Sequence, residues 1–348
     1  MKTRPNIVLE RDISIDIIKV IAIIGVVIIH TCRFDVPVLS PDWLSSLFWR
    51  SVCGAGVPLF LMASGAIMLD EAKELSIKKL YLKNILRIII AMFVWGIVYK
   101  IYHLLKADTF SIVTLIGAVK EVLFFNQEFH FYYLHMILIV YAFLPITRVF
   151  INSASQTQLK YALLLWFVLA IVYPALLAFG PFNRLGGITN QWGINLTYAS
   201  IGFGILGYYL KKYPLARAKA LILLICGLLL TFGLTLYKSR DIGMLYENFL
   251  NGNSVPIYLL SVGIFGLVKD ININSEKLKN TVSWLSKSSF CIYLVHMLIM
   301  YLMKEIGMNI DFAPYIISIP LFAFLLLALS ITFYFVLSKI PFVKKWLI

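Results

Sequence analysis

Apolar residues in this chain come in blocks of membrane length, separated by short polar loops. The hydrocarbon core of a bilayer takes about 20 residues of helix. Inside lipid a backbone must satisfy its own hydrogen bonds, so each block is a helix or a strand of a closed barrel. The blocks lack the alternation of barrel strands. The pattern therefore predicts an all-α, polytopic integral membrane bundle of about ten transmembrane helices, with both termini cytoplasmic. The predicted spans are 13–31, 47–69, 85–104, 129–150, 161–180, 193–210, 220–237, 254–268, 284–303 and 315–338, and 110–125 is predicted to lie on the outer surface.

Composition agrees. Of 348 residues 61% are hydrophobic and 14% charged, where a soluble domain carries about 25% charge. The polar loops 70–84, 183–192, 238–253 and 269–283 are too short to fold alone, so residues 1–348 are expected to form a single membrane-embedded domain. The net charge of +14 invites a nucleic-acid reading. With the N-terminus inside, however, the surplus of Lys and Arg falls on the cytosolic side, as the positive-inside rule requires. Lys78, Lys79, Lys83 and Arg87 form one inner cluster, and Lys211, Lys212, Arg217 and Lys219 another. Topology and attraction to anionic lipid explain most of them; some are placed to hold an anionic cytosolic substrate. The first span carries Asp16 and Lys19 and no small-x-small cleavage site follows it, so it is read as a retained helix. The four cysteines have no metal-ligand spacing, and no metal is expected. Nucleotide-loop, serine-hydrolase and zinc-protease motifs are not found.

The first span is unusual in what it buries. Lys19 and His30 are eleven residues apart, about three helical turns, so they share an azimuth to within about 20° and lie about 16 Å apart. Asp16 is one turn below Lys19 on the same stripe. Charges in a span normally face a bundle interior or a wet cavity. Snorkelling would also explain Lys19, an i,i+3 ion pair Asp16, and an interfacial position His30. One polar site accounts for all three together.

The segment Asp16-Ile-Ile-Lys19, ten residues, then His30 resembles the first helix of the membrane-bound acyltransferase-3 family, which usually has arginine where Lys19 stands. Four more segments resemble that family in order: Val57-Pro58-Leu59-Phe60 with Ser64-Gly65; Leu86-Arg87-Ile88; His130-Phe131-Tyr132-Tyr133-Leu134 followed by Tyr141 and Pro145; and Ile292-Tyr293-Leu294-Val295-His296. The resemblance implies an integral-membrane O-acyltransferase that moves an acyl group, usually acetyl, from cytosolic acyl-CoA to a hydroxyl of an extracytoplasmic glycan or lipid-linked saccharide. It implies a plasma-membrane, bacterial setting, with acetyl-CoA as donor and membrane lipids and envelope-synthesis proteins as further partners. His30 suits the base that activates the acceptor hydroxyl. Asp16 and Lys19 would assist at the inner half. Lys19, Lys83 and Arg87 would hold the coenzyme's phosphates, although lysine lacks the planar fork of arginine. His130, Tyr133, Tyr293 and His296 would meet substrate. His103 and His135 fit no motif, and Ser64 has no adjoining base in sequence. A transporter of a small solute or saccharide is the competing reading, since in-span charges also mark solute pathways; no internal repeat or pair of broken helices supports it.

Overall fold

The computed structural model describes residues 11–73, 75–182, 184, 196–269 and 271–348. All regular structure among them is helical. Eight stretches are long and apolar enough to cross a membrane: α1 (Ile13–Thr31), the pair α2 (Pro41–Cys53) and α3 (Gly56–Met68) as one span, α4 (Ile77–Lys106), α6 (Phe129–Ser153), α7 (Gln156–Leu176), α9 (Arg217–Ile242), α11 (Glu276–Glu305) and α12 (Tyr315–Leu337). Two predicted spans are shorter helices, α8 (Leu196–Lys212) and α10 (Val255–Val268). The predicted surface segment is α5 (Ile112–Leu123), whose Ile112, Val113 and Ile116 are exposed while Ala118 and Val122 are buried. A short helix α13 (Pro341–Trp346) closes the chain.

Caps explain why several helices begin before their apolar cores. Ser40 accepts from the Trp43 N–H, and Pro41 occupies the first turn, so α2 starts at Pro41 and not at 47. Ser76 accepts from the Lys79 N–H, which starts α4 at Ile77 and not at 85. The first turns of α4 pass through a π-helical stretch, Leu80–Ile85, which ends two residues before Arg87. Asp12 caps α1 through the N–H groups of Ser14 and Ile15.

α1 runs through the middle of the bundle and packs against α3, α11 and α12. Its Ile18, Ala22 and Val27 are fully buried with Leu61 and Met62 of α3 and Leu294 and Val295 of α11. Helices in lipid gain little from apolar burial against each other, so close packing at small residues must hold them. The α3–α8 crossing does this. A Cβ on Gly65 would lie 1.9 Å from the Gly204 carbonyl oxygen, and one on Gly207 would lie 2.1 Å from that of Met62.

Polar clamps fix the ends. At the end where α1 begins, Asp16 is buried, pairs with Arg11, and accepts hydrogen bonds from Ser283 (3.0 Å) and Ser286 (2.6 Å) of α11. Arg148 donates to the carbonyls of Asp70, Glu71 and Lys73, tying down the loop after α3. Lys211 pairs with Asp70 at 2.9 Å and Lys212 with Glu71 at 2.5 Å. The hydrogen bonds from Lys212 and Tyr208 hold the Glu71 carboxyl below its usual range. At the other end Arg33 bridges Asp35 and Asp311, and the Asp42 carboxylate receives the Tyr315 N–H.

Candidate functional site: three histidines between two cavities

His30 lies in the last turn of α1, His130 in the tight turn Phe129–Phe131 that opens α6, and His296 within α11. The fold brings all three together. Ring centroids are 5.2 Å apart for His30 and His296, 5.3 Å for His130 and His296, and 6.3 Å for His30 and His130. His130 and His296 are fully buried.

Their hydrogen bonding sorts them. His296 Nδ1 lies 2.8 Å from the Tyr293 carbonyl and 3.1 Å from that of Ile292. A carbonyl only accepts, so Nδ1 carries the proton and Nε2 keeps its lone pair. That Nε2 is buried without a partner, as are both ring nitrogens of His130. His30 makes no hydrogen bond among the described residues, and its ring borders a cavity. The cluster thus gathers imidazole nitrogens without protein partners beside a cavity. Although three imidazoles meet, no group of three His, Cys, Asp or Glu side chains among the described residues is placed to hold a metal ion.

Two tyrosines fix the cluster. The Tyr293 hydroxyl donates to the His130 carbonyl. The Tyr99 hydroxyl inserts into the backbone ladder of α11: it accepts from the Leu298 N–H at 3.0 Å and donates to the Leu294 carbonyl at 2.8 Å, either side of His296. Tyr99 is fully buried, with its ring 5.4 Å from that of His130. No sequence motif marks it, because it sits in an ordinary apolar run.

A cavity of about 850 Å³ lies on one side of the cluster. His30, His130, Tyr132 and Arg50 line it, with Glu247, Asn248, Asn251 and Asn253 from the loop before α10. A second cavity of about 460 Å³ opens toward the end where α1 begins. Its wall holds Lys19, Lys83, Arg87, Lys287 and Lys344, together with Ser64, Tyr133 and Tyr141. Tyr293 belongs to both walls. Tyr293 therefore borders both cavities, with the Tyr133 ring 5.3 Å from its own.

The residues singled out in the sequence therefore divide. His30, His130, His296 and Tyr293 meet at the junction. Lys19, Lys83, Arg87 and Tyr133 line the basic cavity. Lys19 forms no ion pair with Asp16, whose partners are Arg11 and the α11 serines. Asp16 ties helices together and does not reach the histidines. Arg87 donates to the carbonyl of Ile348 and stacks over Phe290, so part of its capacity is already used. His103 pairs with Glu128 at 2.7 Å and His135 sits against Phe125, both outside the cluster. Cys32 and Cys53 are free thiols.

The helices are of membrane-spanning length, and the histidine cluster stands beside a cavity that shares Tyr293 with a second, basic one. The sequence profile of the acyltransferase-3 family, described as an acyltransferase domain, matches residues 12–339. The chain belongs to that family, and it is a membrane acyltransferase by class. No curated protein and no solved structure matches it.

Proposed function

We propose that the protein is an O-acetyltransferase of the bacterial plasma membrane. It takes acetyl from cytosolic acetyl-CoA and transfers it to a hydroxyl of an extracytoplasmic cell-surface glycan or lipid-linked saccharide. The observation that carries this reading is the pair of cavities meeting at Tyr293 beside three histidines. A donor rich in phosphate suits the basic cavity, with Lys19, Lys83 and Lys344 as charge partners. A polyhydroxylated acceptor suits the cavity rimmed by Asn248, Asn251 and Asn253.

In the proposed reaction the thioester reaches the junction past Tyr293 and the acceptor hydroxyl approaches His30. His30 takes the hydroxyl proton as the oxygen attacks the thioester carbonyl. The C–S bond breaks, the new ester forms, and the thiolate of the coenzyme leaves and takes up the proton. His296, with Nδ1 anchored to backbone, holds the neighbouring Nε2 lone pair ready to share that proton. Because the chemistry straddles the bilayer, donor and acceptor never need to share a compartment.

Sealed vesicles test this directly. Labelled acetyl-CoA supplied on the cytosolic face should place label on a glycan at the opposite face, and donor supplied only on the outer face should give none. Lys19→Ala should raise the apparent donor constant about 10- to 150-fold, the worth of one charge-assisted contact, and Lys19→Arg should restore it. Movement of an unmodified solute, with no acetyl-CoA consumed, would replace this reading with transport.

A further inference from the structure

Arg50 lies in the last turn of α2, at the wall of the larger cavity. Its Nε is buried without a hydrogen-bond partner, and its Nη1 has only a long contact, 3.4 Å, to the Ile29 carbonyl. Other arginines packed into the bundle are spoken for. Arg11 has Asp16, Arg33 has Asp35 and Asp311, Arg87 has Ile348 and the Phe290 ring, and Arg148 has three loop carbonyls. No carboxylate pairs with Arg50 among the described residues. The acid on the cavity wall among the described residues is Glu247, an exposed residue that makes no ion pair with Arg50.

Arg50 is half-buried on this wall, and a shielded guanidinium nitrogen without a partner carries a desolvation cost. The cost is recovered when a ligand supplies the charge. The planar fork matches a two-oxygen anion, phosphate or carboxylate, in bidentate geometry. Arg50 lines the same cavity as His30, and its Nη1 reaches the carbonyl of Ile29, the residue before His30.

We propose that Arg50 is an acceptor-binding residue and that the acceptor saccharide carries an anionic oxyacid group close to the hydroxyl that is modified. This rests on the reading of the larger cavity as the acceptor site. The anion docks on Arg50, the asparagines of the 248–253 loop take neutral hydroxyls, and the reactive hydroxyl is thereby presented to His30. Neutral glycans bind the same cavity without this anchor and are poor acceptors.

Binding can be measured without donor, so it is independent of acyl transfer. The full chain in nanodiscs is titrated with three fluorescently labelled oligomers of equal length: a poly(glycerol phosphate), an oligogalacturonate and a neutral dextran. At least one charged oligomer should bind about ten-fold or more tightly than the dextran, and which one does so identifies the anion as phosphate or carboxylate. Arg50→Gln should remove that preference, bringing the charged oligomer down to the affinity of the dextran. Lys120→Gln, an exposed charge on α5, should leave all three unchanged, which separates the site from the chain's overall positive charge. Arg50→Lys keeps the charge without the fork, so it should retain a reduced preference, and it covers the case in which the glutamine variant does not fold. Equal affinity of the wild type for all three oligomers, or undiminished preference in either Arg50 variant, overturns the proposal. Acetyl-CoA consumption, measured separately, reports on the acyltransferase reading by itself.

Discussion

Three imidazoles within 6.3 Å of one another hold three different positions. His30 lines the larger cavity, where the proposed acceptor hydroxyl would meet it. His296 is anchored through Nδ1, and its free Nε2 looks into the cluster. His130 has its ring buried and its backbone carbonyl held by Tyr293. These environments predict different responses to substitution. In His296→Asn the short amide can reproduce the Nδ1 donor but not the Nε2 lone pair. If Nε2 shares the proton, this variant should insert at normal abundance and lose about 10- to 100-fold in kcat with little change in either KM. Wild-type kcat with an unchanged pH profile would reduce His296 to a packing residue. The sequence displayed all three histidines in segments resembling one family, His30 on a polar helical stripe as well. It did not show that they touch. His30 and His296 are 266 positions apart, and their contact depends on how α1 crosses α11, which helical periodicity does not encode. Arg50 and Tyr99 were silent for a related reason: each is unremarkable in its own helix and gains meaning only from what stands opposite.

Helix existence was plain from hydropathy, and the ten predicted spans correspond to ten helical stretches. Their starts were less plain, because the apolar core of a span does not include its cap. Ser40-Pro41 and Ser76 are readable signals that move two starts outward by about two turns. The Lys19–Asp16 pairing is another matter of partners: i,i+3 spacing permits it, but Ser283, Ser286 and Arg11 satisfy the carboxylate instead. The α3–α8 crossing gives the prediction at this scale. Gly207→Ala places a methyl against the Met62 backbone, which cannot give way cheaply, so the helices must separate. Thermal stability in detergent should fall, and transfer with it, since α3 also carries Ser64 of the basic cavity. Gly117→Ala on α5 has open space around its Cβ, and helix propensity favours alanine by about 1 kcal/mol. Its stability should hold or rise. Equal losses in both variants would contradict close approach as the cause.

At the scale of the molecule, the arrangement needs its two cavities on opposite faces of the membrane. Asp70 and Lys211 meet at one end, and the 248–253 loop lies with His30 at the other. We propose, from charge bias, that the first end faces the cytosol. Single cysteines introduced in an otherwise cysteine-free chain should report this: position 215 should label only from the cytosolic side, and position 244 only from outside. Labelling of position 215 from outside would invert the map and move the basic cavity away from cytosolic acetyl-CoA.

The central claim is that His30 is the base for acyl transfer at the junction of the cavities. It is tested most directly by quantifying acetyl ester on the extracellular glycan in cells making wild type or His30→Gln at matched membrane abundance. Glutamine keeps the size and hydrogen bonding of the side chain but not its basicity. The account predicts a loss of about 10²- to 10⁴-fold in transfer, with donor affinity unchanged because Lys19 and Lys83 are untouched. Acetylation by His30→Gln at the wild-type rate would contradict it.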